Sequence, residues 1–399
     1  MLHDASRRVS FGGRGGSAKE ASTPSPLAQR FSAGSKEYTV PVAPLANLRK
    51  IAVLRANVLG DFLFALPALA ALRETYPAAE IVLLGLPWHR AFLEGRPGPV
   101  DRVVVMPALP WLPGGGSASP SEEARFLAAM RDERFDLAVQ IHGGGRNSNP
   151  FLLQLGARNT VGLATDDAPR LDRTVPYVYY QSEIMRYLEV VAQVGAVTAA
   201  IEPQLAVIAR DLAESREIVA DAERLVVLHP GASDARRRWP VEQFAAVGDA
   251  LAADGYTIGV SGVGAEGPVV EAVIGAMQLP ARSLCDALSI GGFTGLLSRA
   301  ALVVSNDTGP FHLAGAVGTP AVGIYWLPNL INSITPYRST RRAAISWRMR
   351  CPTCDAPLLH QGYAEAACDH RESVVAEVPV DTVLGYAREL LAIRHGAAA

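Results

Sequence analysis

Arg49-Lys50-Ile51-Ala52-Val53-Leu54, then Arg55-Ala56-Asn57-Val58-Leu59-Gly60-Asp61, then Phe62-Leu63-Phe64-Ala65-Leu66-Pro67-Ala68-Leu69-Ala70-Ala71-Leu72, is the stretch on which the fold turns. The first run is aliphatic without polar alternation, as befits a strand buried on both faces of a parallel sheet. The third run is long enough for a helix. The loop between them is then a strand-to-helix turn, with Gly60 at its tight point and Asp61 at the N-cap of the helix. Similar units follow. Strands are expected at Glu80–Leu86, Arg102–Met106 and Asp136–Ile141, with a Pro/Gly-rich loop from Ala108 to Pro120 and a helix at Glu122–Glu133. This alternation predicts a parallel sheet covered by helices.

A charged segment, Arg210–Arg224, reads as a helix leading into a second series of the same kind. Its strands are Leu225–Leu228, Tyr256–Ser261, Arg282–Cys285, Ala301–Ser305 and Pro320–Tyr325. Trp239–Asp254 sets Phe244, Val247 and Leu251 on one helical face. The expected fold class is α/β: two Rossmann-like, doubly wound domains, 46–210 and 225–378, facing a central cleft, with a final helix in 379–399. Residues 1–45, rich in Gly, Ser and Pro, read as a disordered tail with a basic excess.

At 399 residues the chain has room for two to three domains. Apolar residues at 49% and charged ones at 19% exclude a largely disordered protein. Lys+Arg 37 against Asp+Glu 39 leaves a net charge of −2, so no general field draws the chain to nucleic acid. An anionic ligand must be held by a local cluster. Four cysteines in so long a chain are no secreted disulfide framework, which points to a reducing compartment, the cytoplasm. No window reaches the ~18 apolar residues of a spanning helix, and no secretory signal is apparent at the start. The basic tail leaves peripheral contact with an anionic inner-membrane surface open.

Three clusters fall at the carboxyl ends of expected strands. Asp61 is either a plain helix cap or a carboxylate at the cleft edge, where it can take a proton from a sugar hydroxyl; a helix N-terminus favours its charged form. His229-Pro230-Gly231-Ala232-Ser233 with Arg236-Arg237-Arg238 is either a solvated basic patch or a diphosphate site. Ser305-Asn306-Asp307-Thr308-Gly309-Pro310-Phe311-His312 brings a third polar group to the same edge. His142-Gly143-Gly144-Gly145-Arg146 forms a glycine-rich loop suited to an anionic acceptor. Gly262–Gly267 matches GxGxxG with Asp286 roughly 20 residues on, which makes an NAD-dependent oxidoreductase the rival reading; against it, the motif follows the second strand of its domain, not the first. Cys351, Cys354, Cys368 and His370, within the segment 351–370, offer the ligand types of a structural zinc.

Leu59-Gly60-Asp61, Ala65–Leu69, His229–Ala232, Arg238-Trp239-Pro240 and Asn306–Ala314, in this order from about Lys50 to about Pro336, resemble glycosyltransferase family 9, which includes the ADP-heptose:lipopolysaccharide heptosyltransferases. The resemblance implies a GT-B fold and inverting, metal-independent transfer from a nucleotide sugar to a glycan or lipid-linked glycan acceptor, with no cofactor required. By the same resemblance Asp61 is the general base, Arg237 stands where the family usually has a phosphate-binding Lys, and Glu266 holds the nucleoside ribose. His229, Gly231, Asp307, Thr308, Gly309, Pro310 and His312 complete the expected donor site. Asn57, His142 and Arg146 are the expected acceptor contacts. A catalytically silent GT-B domain is the third reading.

Overall fold

The computed structural model describes residues 42–334, 339–358 and 368–396. The tail expected over 1–45 lies, up to residue 41, outside them, as do residues 359–367 of the cysteine-rich segment. Strands β1 (Lys50–Leu54), β2 (Glu80–Gly85), β3 (Arg102–Val105), β4 (Leu137–Gln140), β5 (Thr160–Ala164) and β6 (Arg173–Pro176) form an all-parallel sheet in the order β3-β2-β1-β4-β5-β6. Strands β7 (Leu225–His229), β8 (Thr257–Val260), β9 (Ala281–Ser283), β10 (Leu302–Asn306), β11 (Ala321–Trp326) and β12 (Arg341–Ser346) repeat the winding as β9-β8-β7-β10-β11-β12. β5, β6 and β12 are additions to the strands read from sequence. Each sheet reverses its strand order once, between β1 and β4 and between β7 and β10. Such switch points open a crevice at the carboxyl ends of the strands.

The helices are α1 (Leu59–Thr75), α2 (Pro87–Leu93), α3 (Pro120–Asp132), α4 (Ser148–Leu153), α5 (Glu183–Ala192), α6 (Ala209–Ile218), α7 (Val241–Ala253), α8 (Gly267–Ala276), α9 (Ile290–Arg299), α10 (Gly309–Ala316), α11 (Leu327–Ser333) and α12 (Val380–Gly396). Nearly every residue of α1 from Phe62 to Leu72 is buried. A helix apolar on all sides needs partners on all sides, and α1 finds them in α5 of its own lobe and in α10 of the second lobe. One apolar cluster accordingly runs from Val53 and Phe62 through Phe311 and Leu313 to Val227 and Val303. The final helix α12 packs on the second lobe, with Val383, Ala387 and Leu390 in the cluster of Trp239 and Phe244.

Two further features tie the lobes together. Arg96, just after α2, donates to both carboxylate oxygens of Asp211 on α6 at 2.6 and 3.1 Å, and both side chains are 1% exposed. α6 in turn lies on α9 at a distance that only glycine tolerates: a Cβ on Gly295 would sit 2.2 Å from the Asp211 carbonyl oxygen.

Candidate active site

A cavity of about 780 Å³ is lined from the first lobe by Gly60, Asp61, Phe64 and Glu183, and from the second by Arg237, Glu266 and the start of α10, among others. Asp61 is the third residue of α1, whose N-cap is Val58, so the expected cap role is corrected: the carboxylate is in the first turn and a third exposed. Beneath it lies Arg55, at the end of β1. Its Nε donates to the Asp61 carbonyl at 3.0 Å and its Nη1 to the Ile141 carbonyl at 2.8 Å. These bonds clamp the guanidinium so that Nη2 stands 3.6 Å from the Asp61 carboxylate and 3.7 Å from that of Glu183.

Glycine sets how near the lobes come. A Cβ on Gly60 would lie 3.3 Å from the His312 ring, and one on Gly309 3.4 Å from Leu59. The N-termini of α1 and α10 thus abut, and the Phe64 ring meets the His312 ring edge-on at 4.6 Å. Thr308 holds the N-cap position of α10 without a side-chain cap bond. The Asp307 carboxylate is buried and engaged by His312 Nε2 at 3.1 Å, Asn329 Nδ2 at 3.0 Å and Ser333 Oγ at 3.1 Å. Burial alone would raise the Asp307 pKa; His312, Arg237 and Asn329 outweigh it and hold the group below the ordinary carboxylate range. Burial drives His312 the other way, toward the neutral ring. Asp307 therefore organises the loop, and Thr308, Gly309 and Pro310 present the positive end of α10 to the cavity.

The three arginines separate. Arg236 pairs with Asp234 and stacks on Trp326. Arg238 is exposed and donates to the Ala232 carbonyl at 2.9 Å. Only Arg237 lines the large cavity, steadied by bonds of 3.0 Å to the Asp307 carbonyl and to Ser233 Oγ. Pro240 is the N-cap of α7.

Glu266 lines the same cavity, its carboxylate accepting from the Val263 N–H at 3.0 Å and lying 3.8 Å from His229 Nε2. Burial pushes the His229 pKa down. Gly231 makes room for this arrangement, since a Cβ there would strike the Glu266 carboxylate at 2.1 Å. The GxGxxG run leaves β8, one strand away from the switch point. It forms a 3-10 turn over Gly264–Glu266 before α8, and the Asp286 carboxylate accepts from the Gly264 N–H at 2.9 Å.

The expected acceptor residues do not converge on this cavity. Asn57 accepts from the Val58 N–H with its own side chain. His142 packs edge-on against Trp111, and burial together with Arg55 pushes its pKa down to about 3, leaving a neutral ring. Arg146 is three-quarters exposed and paired with Asp167. The glycine-rich loop is pinned by Gln140 Nε2 and Ser148 Oγ, which both donate to the His142 carbonyl. Cys351, Cys354, Cys368 and His370 do come together, away from the cavity.

Sequence reasoning missed Glu183. It opens α5, lines the cavity and hydrogen-bonds Arg186. Burial pushes its carboxyl above the ordinary range, against the pull of Arg55 and Arg186. No local motif marks it; only the fold brings it to Asp61.

The family profile described as "Glycosyltransferase family 9 (heptosyltransferase)" matches residues 124–353. Lipopolysaccharide heptosyltransferase 2 of Salmonella typhimurium is 24% identical over 297 residues, which span 69% of this chain and 82% of that protein. Among solved structures, a family 9 glycosyltransferase from Veillonella parvula superposes with a TM-score of 0.72 at 19% identity, covering 88% of this chain and 99% of the other. The E. coli ADP-heptose lps heptosyltransferase II superposes with a TM-score of 0.67, also at 19% identity, covering 87% and 99%. These likenesses bear out the GT-B fold.

Proposed function

This chain belongs to glycosyltransferase family 9, the heptosyltransferase family, and on that premise we propose that it moves a heptose from ADP-heptose to a hydroxyl of a lipopolysaccharide core or related lipid-linked glycan, with inversion and without a metal ion in the reaction. One observation carries the reading: Asp61 from one lobe opens on the same cavity as Arg237 and the start of α10 from the other. A base and a diphosphate site on opposite lobes are what a single displacement between two substrates requires.

In that displacement the acceptor oxygen attacks the anomeric carbon as its proton passes to the Asp61 carboxylate. The bond from that carbon to the β-phosphate oxygen breaks, and its electron pair leaves with ADP. The charge growing there meets the Arg237 guanidinium and the N-terminus of α10, both fixed before the reaction begins. Glu266 accepts from the ribose hydroxyls. Arg55, clamped to backbone carbonyls, holds Asp61 in place. The acceptor enters from the first lobe. Asn57 meets the acceptor from the turn before α1, and His142 and Arg146 join it once substrate reorganises their pinned loop. The site of action is the cytoplasmic face of the inner membrane, and among the described residues no helix is long and apolar enough to cross a membrane.

Calorimetric titration of metal-stripped protein with ADP-heptose, ADP, UDP and NAD tests the donor. Selective binding of ADP-heptose and ADP is expected. Preference for NAD would restore the oxidoreductase reading at Gly262–Gly267, preference for UDP would overturn the donor, and binding of none would favour a silent domain.

A further inference from the structure

Beyond β12 the chain makes a tight turn. The Cys351 N–H donates to the Ala356 carbonyl at 2.8 Å, the Asp355 N–H to the Cys351 carbonyl at 3.0 Å, and Arg350 bridges to Pro357. Cys351 and Cys354 stand on this turn; Cys368 and His370 come from the segment that leads back toward α12. Three sulfurs and one ring nitrogen all lie within 4.8 Å of one another. A further observation favours an ion among them. The His370 Nδ1 atom is buried without a hydrogen-bond partner among the described residues.

We infer that Cys351, Cys354, Cys368 and His370 hold a tetrahedral zinc ion whose work is to brace the Arg236–Trp239 turn. Thiolate and imidazole donors select zinc over magnesium or manganese. Zn–S bonds of about 2.3 Å place tetrahedral ligands some 3.7 Å apart, so the widest pair closes by no more than about 1 Å on binding, which releases the protons of any cysteines still present as thiols. Four protein ligands leave no open position, which makes the ion structural. None of the four lines the substrate cavity.

The bracing follows from what comes directly after His370. Ser373 Oγ donates to the Arg238 carbonyl at 2.6 Å and the Val374 N–H to the Arg236 carbonyl at 2.9 Å. Trp239 Nε1 donates to the Val378 carbonyl at 3.0 Å, and Gln243 Nε2 to that of Ala376 at 3.0 Å. Residues 373–378 are thus the backing of the turn that carries Arg237. An ion at His370 anchors that backing three residues from its first contact. That this steadies the donor site rests on the proposed reading of Arg237; the ion and the bracing themselves do not.

The test is metal analysis of the full chain with hydrogen exchange. About one zinc per chain is expected, lost in Cys354→Ser and kept in Cys285→Ser, and the stripped protein should give the absorption of tetrahedral thiolate-bound cobalt when Co(II) is added. On stripping, amide exchange over 236–239 and 373–378 should quicken about tenfold while β1 and α1 stay unchanged. Failure of the stripped chain to take up zinc or cobalt, or iron found in place of zinc, overturns the assignment. Bound zinc whose removal leaves those amides unchanged overturns the bracing. Neither result depends on which nucleotide sugar binds.

Discussion

Arg55 is the residue from which the charge pattern of the first lobe follows. It is a cation with 2% of its side chain exposed, fixed by two carbonyls and facing Asp61 and Glu183. The same charge, added to burial, drives His89 and His142 down to about 3. Both rings are neutral in the folded protein and titrate near 6.5 once unfolded. The unfolded chain therefore binds more protons between those values, and stability falls as pH drops below about 6.5, by roughly 1.4 kcal/mol per pH unit for each ring. Denaturant midpoints measured from pH 7 to pH 5 check this, and His142→Asn should remove one ring's share of the slope. Arg237 is the residue at which the proposed donor site is tested. Arg237→Ala should weaken ADP by about 1.5–3 kcal/mol. Arg237→Lys should fall between, because an ammonium keeps the charge but loses the fork that grips both the Asp307 carbonyl and Ser233 Oγ. Titration of both variants with ADP reads the difference. Asp61, Arg237 and Glu266 were legible because each follows closely on a buried strand, inside a recognisable run. Glu183 was not, since its meaning comes from Arg55, which lies 128 positions earlier in the chain.

At the scale of elements, helix contacts are set by glycines. Gly295→Ala puts a methyl group where the Asp211 carbonyl already stands, so α6 must move off α9. Overpacking of this kind costs about 1–3 kcal/mol, seen as a lower thermal midpoint. The central strands β1, β2, β7 and β10 were readable from sequence because burial on both faces leaves them uninterrupted aliphatic runs. β6 (Arg173–Pro176) and β12 (Arg341–Ser346) lie at sheet edges and carry arginines, so their composition resembles that of a loop. The start of α1 was misplaced for a related reason: Val58 caps it with backbone alone, and nothing in Asn57-Val58-Leu59 announces the boundary.

Across the whole molecule, the lobes share an apolar core through α1 and α10 and a buried ion pair, Arg96–Asp211. Removing one partner of such a pair strands the other charge at a cost of about 3–5 kcal/mol, so Asp211→Asn should destabilise the entire chain in equilibrium unfolding. That shared core is also what brings Asp61 on one lobe to the same cavity as Arg237 on the other. The most direct test of that arrangement is turnover of Asp61→Asn with ADP-heptose and a lipopolysaccharide-core acceptor, beside its affinity for ADP. Loss of the base should lower kcat by about 10²–10⁴-fold while ADP binding stays within about threefold of wild type. Turnover near the wild-type rate would remove Asp61 from the chemistry and contradict the account.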